Sequence, residues 1–511
     1  MIARLNKIMR NFPFYVLLLP VFFVLHSYIQ YYGLVTAHTT FKIWMEIQLI
    51  FIAGFLALAG ITKNINRSAQ IIALLGFFAL FFGVVKDFFY HIAGIHFIAR
   101  YSVLLPLIAV VSFLLIRSIS RKKNFSKSNL FLNTLLLLFL FTEGMLLLRY
   151  GTGTFMQRNR MVKNNIIKPD SLPPVTERPD VYFLVFDSYP GSCFLRDYLQ
   201  YNNGGLDSTF VSRGFYVTNH SKSNYNRTAL SIASTLNFEY LVNIPEHSKL
   251  EPRHYNQASL SIEHAAVPDV FIHQGYDIYN LSVFDLAKHP SVFKENFLVL
   301  PEEDMLLYNT LTKRLRWDIL WNFSVLLHGN AEKGKQEVQL YLMNERIKIR
   351  NFNNLLIDTL PKIALQNTGK PKFIYAHFYL PHPPFFYDGN GNMLALDLVK
   401  FEQAKQQKTA FISYLEYTNK VMLKMVNTIL KDSPKPPVII LESDHGYRDF
   451  KKELVSPDQY FKNYAAYYFP DGNYSMLYDT ISNVNTFPVV FNKYFNTHIP
   501  MLKDTSVFLE Y

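Results

Sequence analysis

Between Phe12 and Arg149, apolar stretches of membrane-crossing length follow one another with only short polar loops between them, and this constrains the chain more than anything else in it. Crossing a bilayer core takes roughly 20 apolar residues of helix. Five such spans can be drawn, at about 13–33, 43–62, 69–88, 98–117 and 129–149. In hydrocarbon every backbone polar group must be satisfied within the span, so these stretches are expected as helices. Hydrophobic residues make up 50% of the 511, more than one soluble domain needs, and the excess lies in this front segment.

Loops rich in Lys and Arg stay in the cytoplasm. Arg4, Lys7 and Arg10 precede the first span, Lys63 and Arg67 follow the second, and Arg117, Arg121, Lys122, Lys123 and Lys127 lie between the fourth and fifth. The alternate loops are poorer in basic residues. With the N-terminus inside and an odd number of crossings, everything after about residue 150 is expected on the outer (periplasmic or extracellular) face of the cell membrane. No small-residue cleavage site follows the first segment, so it reads as an anchor rather than a cleaved signal. The formal net charge of +12 suits work beside anionic headgroups. No basic helix with interleaved aromatics appears, which argues against nucleic acid as a partner. The single cysteine, Cys193, excludes an intrachain disulfide and a thiol metal cluster.

Residues 1–150 thus read as a five-span membrane domain. Residues 151–179 turn polar and carry Pro169, Pro173, Pro174 and Pro179, the composition of a linker. From 180 to 511 short apolar runs alternate with helical patterns, which argues an α/β domain with a mostly parallel sheet. The expected strands include Val181–Phe186, Gly214–Val217, Tyr276–Leu281, Lys372–Tyr379 and Tyr464–Phe469. The clearest helix is expected over Thr409–Lys431. There Phe411, Leu415, Met422, Met425, Val426 and Ile429 keep helical spacing, and Pro434, Pro436 and Pro437 follow.

Chemistry concentrates at strand ends. Open α/β sheets bind ligands beyond the carboxyl ends of their strands, and two apolar runs end there in candidate metal ligands. Val181–Phe186 leads into Asp187, and the run from Val438 leads into Asp444, His445 and Gly446. Hard oxygens beside an imidazole suit a divalent ion such as zinc or manganese. Thr228 sits where polar capping types give way to Leu230, Ile232, Ala233 and Leu236, the first turn of an expected helix. Unpaired N–H groups and the helix dipole favour an alkoxide and a bound phosphate there. Each residue alone has an ordinary structural explanation: a turn, a surface pair, an N-cap.

Taken together, these residues resemble the alkaline phosphatase superfamily in its sulfatase-like branch. Within it they are similar to membrane-anchored lipoteichoic acid synthases and phosphoethanolamine transferases. Asp187 resembles that family's first acidic metal ligand, Thr228 its nucleophile, and Asp444 with His445 its late Asp-His pair. The segment Leu380-Pro-His-Pro-Pro384 is similar to the family's His-containing segment, which implies that His382 contacts the substrate phosphate or a second metal. The resemblance implies a sulfatase-like domain behind a multi-pass α-helical membrane domain. It also implies a divalent metal, zinc or manganese with magnesium possible, held by Asp187, Thr228, Asp444 and His445. Catalysis would rest on Thr228 and His382. The implied activity moves a phospho-headgroup from a membrane phospholipid to an envelope glycan or lipid acceptor through a phosphothreonine. Two departures stand out: the transferases usually carry Glu where this chain has Asp187, and the Cys/Ser-x-Pro-x-Arg motif that sulfatases convert to formylglycine surrounds neither Thr228 nor Cys193.

A membrane-anchored hydrolase or phosphodiesterase would use the same residues and pass the intermediate to water. A non-catalytic membrane scaffold is the third reading. Lys86, Asp87, His91, His96 and Arg100 crowd one outward loop, as a headgroup site or a solvated interfacial loop. Glu143, inside the fifth span, is a costly placement that points to function or to a polar partner. Arg314, Arg316, Trp317 and Trp321 suit helical core packing better than a membrane surface, and His377 reads as structural.

Overall fold

The protein is described by a computed structural model covering residues 2–32, 35–92, 94–151, 161–162, 172, 175, 178–242, 244–250, 252–286, 288–292, 301–316, 331–394, 407–448, 450 and 456–510. The 151–179 linker, Trp317 and Trp321 lie almost entirely outside these residues. The chain divides into two compact units, Met1–Gln157 with Leu300–Leu340, and Arg158–Val299 with Tyr341–Tyr511. Residues 300–340, read from sequence as part of the C-terminal domain, cluster instead with the N-terminal helices.

The first unit begins with helices α1 (Ile2–Asn11), α2 (Tyr15–Gln30) and α3 (Ala37–Thr62). It continues with α4 (Ile65–Leu80), α5 (Phe82–Asp87), α6 (Tyr101–Arg121) and α7 (Ser126–Gly151). Side-chain caps fix two starts: Thr36 accepts from Thr39 N ahead of α3, and Asn64 from Arg67 N ahead of α4. By length and composition α3, α6 and α7 suffice to cross a membrane. Among the described residues α4 and the helix after it meet the same test only as a pair, bent by 62°. The span expected at 69–88 is therefore interrupted at Phe81. The first expected span is shorter than drawn: α2 has 16 residues with Pro20 inside it, about 24 Å at 1.5 Å per residue. Apolar side chains such as Ile61 (78% exposed) and Leu148 (70%) point outward, as lipid-facing residues do.

Polar contacts pin α2 against α7. Tyr15 N donates to Asn133 Oδ1 at 2.9 Å, and His26 Nδ1 donates to Glu143 Oε1 at 2.7 Å. The sequence offsets of the two pairs, 118 and 117, are nearly equal, so the helices run parallel. Glu143 thus has its partner on a neighbouring helix, and Gln30 Nε2 donates to the other nitrogen of the same His26 at 2.9 Å.

The second unit is built on a six-stranded sheet of order β2-β6-β5-β1-β4-β3. The strands are β1 (Val181–Phe186), β2 (Tyr216–Val217), β3 (Asp277–Leu281), β4 (Lys372–Phe378), β5 (Val438–Glu442) and β6 (Ala465–Tyr468). Strands β3, β4, β1 and β5 are parallel, and β6 and β2 pair antiparallel at one edge. A strand buried on both faces reads as a continuous apolar run. Accordingly β1, β4 and β5 are buried at every position. Val185 pairs with His377 and Leu184 with Leu441, so β1, β4 and β5 end at one edge of the sheet. The helix expected at Thr409–Lys431 runs from Lys408 to Asp432 and buries the positions named from its periodicity.

Candidate metal centre and active site

The residue after β1 is Asp187, fully buried. Ser188 next to it turns the chain at φ +64° and donates its backbone N–H to Asp444 Oδ1 at 3.0 Å. Asp444 follows β5 by two residues, and His445 N donates to the same Oδ1 at 3.0 Å. Gly446 closes the turn where only a glycine fits. A Cβ there would lie 2.5 Å from Lys462 O and 3.0 Å from Tyr460 O.

Asp187, Asp444 and His445 each offer a ligand atom, all within 4.8 Å of one another. Asp444 Oδ2 is buried without a hydrogen-bond partner, an orphan that a cation would satisfy. His445 Nδ1 donates to Gly446 O at 2.8 Å, which puts the lone pair on Nε2, where it accepts from Arg448 and would have to exchange that bond for a metal. Burial first, and the Arg448 cation next, hold this imidazole well below its ordinary value, in the neutral form a metal takes. Burial and the neighbouring Asp187 carboxylate push Asp444 up to about 7. Burial also works to raise Asp187, but His382, His377 and His445 outweigh it and hold Asp187 low. The donor set fits a divalent cation.

Thr228 opens the helix Thr228–Asn237, here α8, as expected. Its Oγ1 lies 3.5 Å from Asp187 Oδ2 and 3.3 Å from His445 Nε2, within the same buried group. The loop before it is held by the C-terminal tail. Asn226 exchanges two hydrogen bonds with the Leu509 backbone, both at 3.0 Å, and Val507 N donates to Asn224 O at 2.9 Å. His382 lies in the loop after β4, half-buried, with Nδ1 donating to Pro383 O at 2.6 Å. Its charge is the strongest lowering influence on Asp187.

The structure also brings in residues the sequence reading set aside or missed. His377 Nε2 comes within 3.7 Å of Asp187 Oδ2 and is buried without a hydrogen-bond partner. Its position on β4, one pair before Phe186↔Phe378, is the signal that places it there. Arg448 was not singled out. Its Nη1 donates to His445 Nε2 and to Asn226 O, both at 2.6 Å, which sets a guanidinium at the nitrogen facing Thr228.

A family model for sulfatases matches residues 194–488, more than half of the chain. The chain belongs to the Sulfatase family. Thr228, His382, Asp444 and His445 all fall inside the matched sulfatase region, and Asp187 just before it. No curated protein matches the chain by sequence. Among solved structures it is similar to the C-terminal periplasmic domain of EcEptC from Escherichia coli in complex with zinc, at 11% identity and a TM-score of 0.39, covering 66% of this chain and 92% of that one. The integral membrane lipooligosaccharide phosphoethanolamine transferase A from Neisseria meningitidis is similar at 12% identity and a TM-score of 0.35, over 94% of this chain and 95% of that one. A Bacteroides thetaiotaomicron protein described as a putative sulfatase is similar at 11% identity and a TM-score of 0.37, over 65% and 74%.

Proposed function

We propose that the chain is a membrane-anchored, metal-dependent transferase. It moves a phosphate-bearing headgroup from an outer-leaflet phospholipid to an envelope glycan or lipid acceptor through a phosphothreonine at Thr228. One observation carries this reading: the Thr228 hydroxyl, at the N-terminus of a buried helix, lies within 3.5 Å of both Asp187 and His445.

Asp187, Asp444, His445 and the Thr228 oxygen would hold a divalent ion, zinc or manganese, with magnesium possible. When bound, the ion supplies Lewis acidity that favours an ionised hydroxyl and offsets the charge of two adjacent carboxylates. The Thr228 oxygen attacks phosphorus, and the bond from phosphorus to the lipid's glycerol oxygen breaks. His382 gives that oxygen its proton. In the second half an acceptor hydroxyl gives its proton to His382 and attacks the phosphothreonine, which restores Thr228. Arg448 and the first-turn N–H groups of α8 balance charge on the non-bridging oxygens.

Placement supports the lipid donor. Parallel α2 and α7 require an even number of reversals between them, so the chain leaves α7 on the side opposite the basic N-terminus. This supports a catalytic unit on the outer face.

A hydrolase is the second reading, favoured by Asp187 in place of the transferases' Glu. Proteoliposomes carrying a headgroup-labelled phospholipid, with and without an envelope glycolipid, separate the two. A transferase moves label to the glycolipid, and Thr228→Ala abolishes it. Label released to water at the same rate in both preparations assigns the hydrolase.

A further inference from the structure

Between β3 and β4 the chain leaves the catalytic unit at residue 299, joins the membrane unit, and returns at 341. Two parts of it are described: 301–316, which forms two short helices, Glu302–Leu307 and Leu311–Leu315, and 331–340, the start of the helix Ala331–Leu365. Met305 and Leu306 are buried.

Three helices of the membrane unit receive this segment through specific polar contacts. At the start of α3, Thr36 donates N–H and Oγ1 to Glu302 Oε2 at 3.1 and 2.8 Å, and Lys42 pairs with Glu303 at 2.8 Å. At the start of α6, Tyr101 donates to the Arg314 carbonyl at 3.2 Å. At α5, Arg314 Nη2 pairs with Asp87 Oδ2 at 2.5 Å while its guanidinium covers the Tyr308 ring at 4.2 Å. The Arg314 side chain is only 9% exposed.

The fit extends to the backbone at the 62° bend. In an unbroken helix Gly83 N–H would bond the carbonyl four residues earlier. Here it donates to Asn309 O at 2.8 Å. A Cβ on Gly83 would lie 2.7 Å from Asn309 Oδ1, 2.8 Å from Arg314 Nε and 3.0 Å from Asn309 Cα. The break in the third span and the visiting segment are therefore complementary: the segment satisfies a donor that the bend releases, which lipid cannot do.

We infer that residues 301–316 are a second, non-covalent attachment of the catalytic chain to its membrane helices, seated in the bend between α4 and α5. The catalytic unit is then held at two places, by the covalent linker after α7 and by this clasp. A clasp tethered by the linker acts at high effective concentration, so it stays seated while the linker is whole. The partner of the polar surface formed by Thr36, Lys42, Gly83, Asp87 and Tyr101 is this chain's own segment.

The test places a site-specific protease sequence between residues 163 and 171 of the full-length protein in membranes. After complete cleavage and a high-salt wash, the membranes are sedimented. The clasp predicts that the catalytic fragment of the otherwise unaltered chain stays in the pellet. With Arg314→Glu or Gly83→Leu the cut releases it to the supernatant, and Asp87→Lys combined with Arg314→Glu returns it to the pellet. Uncut variants that melt as the unaltered protein does show that release is not unfolding. Release of the unaltered fragment by cleavage alone overturns the inference. Retention of both Arg314→Glu and Gly83→Leu fragments overturns it as well, because another segment would then be holding them.

Discussion

Ser188 donates its backbone N–H to Asp444 Oδ1 at 3.0 Å, and this one bond divides the Asp444 carboxylate into a structural half and a functional half. Oδ1 is committed to the backbone of Ser188 and His445, and Oδ2 is buried with no hydrogen-bond partner. Asp444→Asn can therefore keep the loop through its carbonyl oxygen while losing the ligand charge. Metal affinity is expected to fall by roughly 100-fold or more, measured by calorimetry or bound-metal analysis. The melting temperature of the chelated protein should not fall, since a like charge beside Asp187 is removed.

The same carboxylate sets a pH dependence. Its folded value, about 7, lies above the ordinary 3.8, so between these values the folded chain holds a proton that the unfolded chain has lost. Metal-free protein therefore loses stability as pH rises from about 4 to about 7. Glu442, raised by burial, adds to the loss with the same sign. Asp187 is held low and acts in a separate window: its contribution is present above about 4 and disappears in acid. Melting curves of chelated protein across pH check this, and Asp444→Asn should flatten the slope approaching neutrality. Metal affinity runs the other way, rising with pH through about 7.

Asn226→Ala removes both hydrogen bonds to Leu509 beside the nucleophile. Leaving those backbone groups buried and unpaired costs about 2–4 kcal/mol. The account expects a lower melting temperature and at least a tenfold fall in turnover, with metal affinity within a few-fold of the unaltered protein because no ligand is touched.

Within the membrane unit, Glu143→Leu alone leaves His26 Nδ1 without its partner and is expected to cost about 1 kcal/mol. Replacing His26 as well should recover most of the loss, because an apolar pair substitutes for a buried polar one. Thermal melts of the two variants in one detergent decide it.

Much of the catalytic unit was legible because its strands are buried on both faces. Continuous apolar runs announce β1, β4 and β5, and the acidic ligands follow close behind, Asp187 next after β1 and Asp444 two residues past β5. Thr228 was legible as a helix start. His377 was not, because a histidine inside a strand looks like core until the pairing of Val185 with His377 sets it beside Asp187. Arg448 and the tail at Leu509 reach the site through contacts whose partners lie elsewhere in the chain, and periodicity carries no record of those. The bend at Phe81 and the return of 301–316 to the membrane unit escaped for the same reason. Asp87 and Arg314 are 227 residues apart, and each alone reads as an interfacial charge.

The measurement that most directly tests Thr228 as nucleophile is intact and peptide mass spectrometry of the full-length protein incubated with zinc or manganese and mixed phospholipids. The account predicts an adduct on the peptide containing Thr228, with the mass of a phospho-headgroup, absent from Thr228→Ala. Metal bound at Asp187, Asp444 and His445, with lipid turned over and no adduct formed even on rapid quenching, would contradict covalent transfer through Thr228.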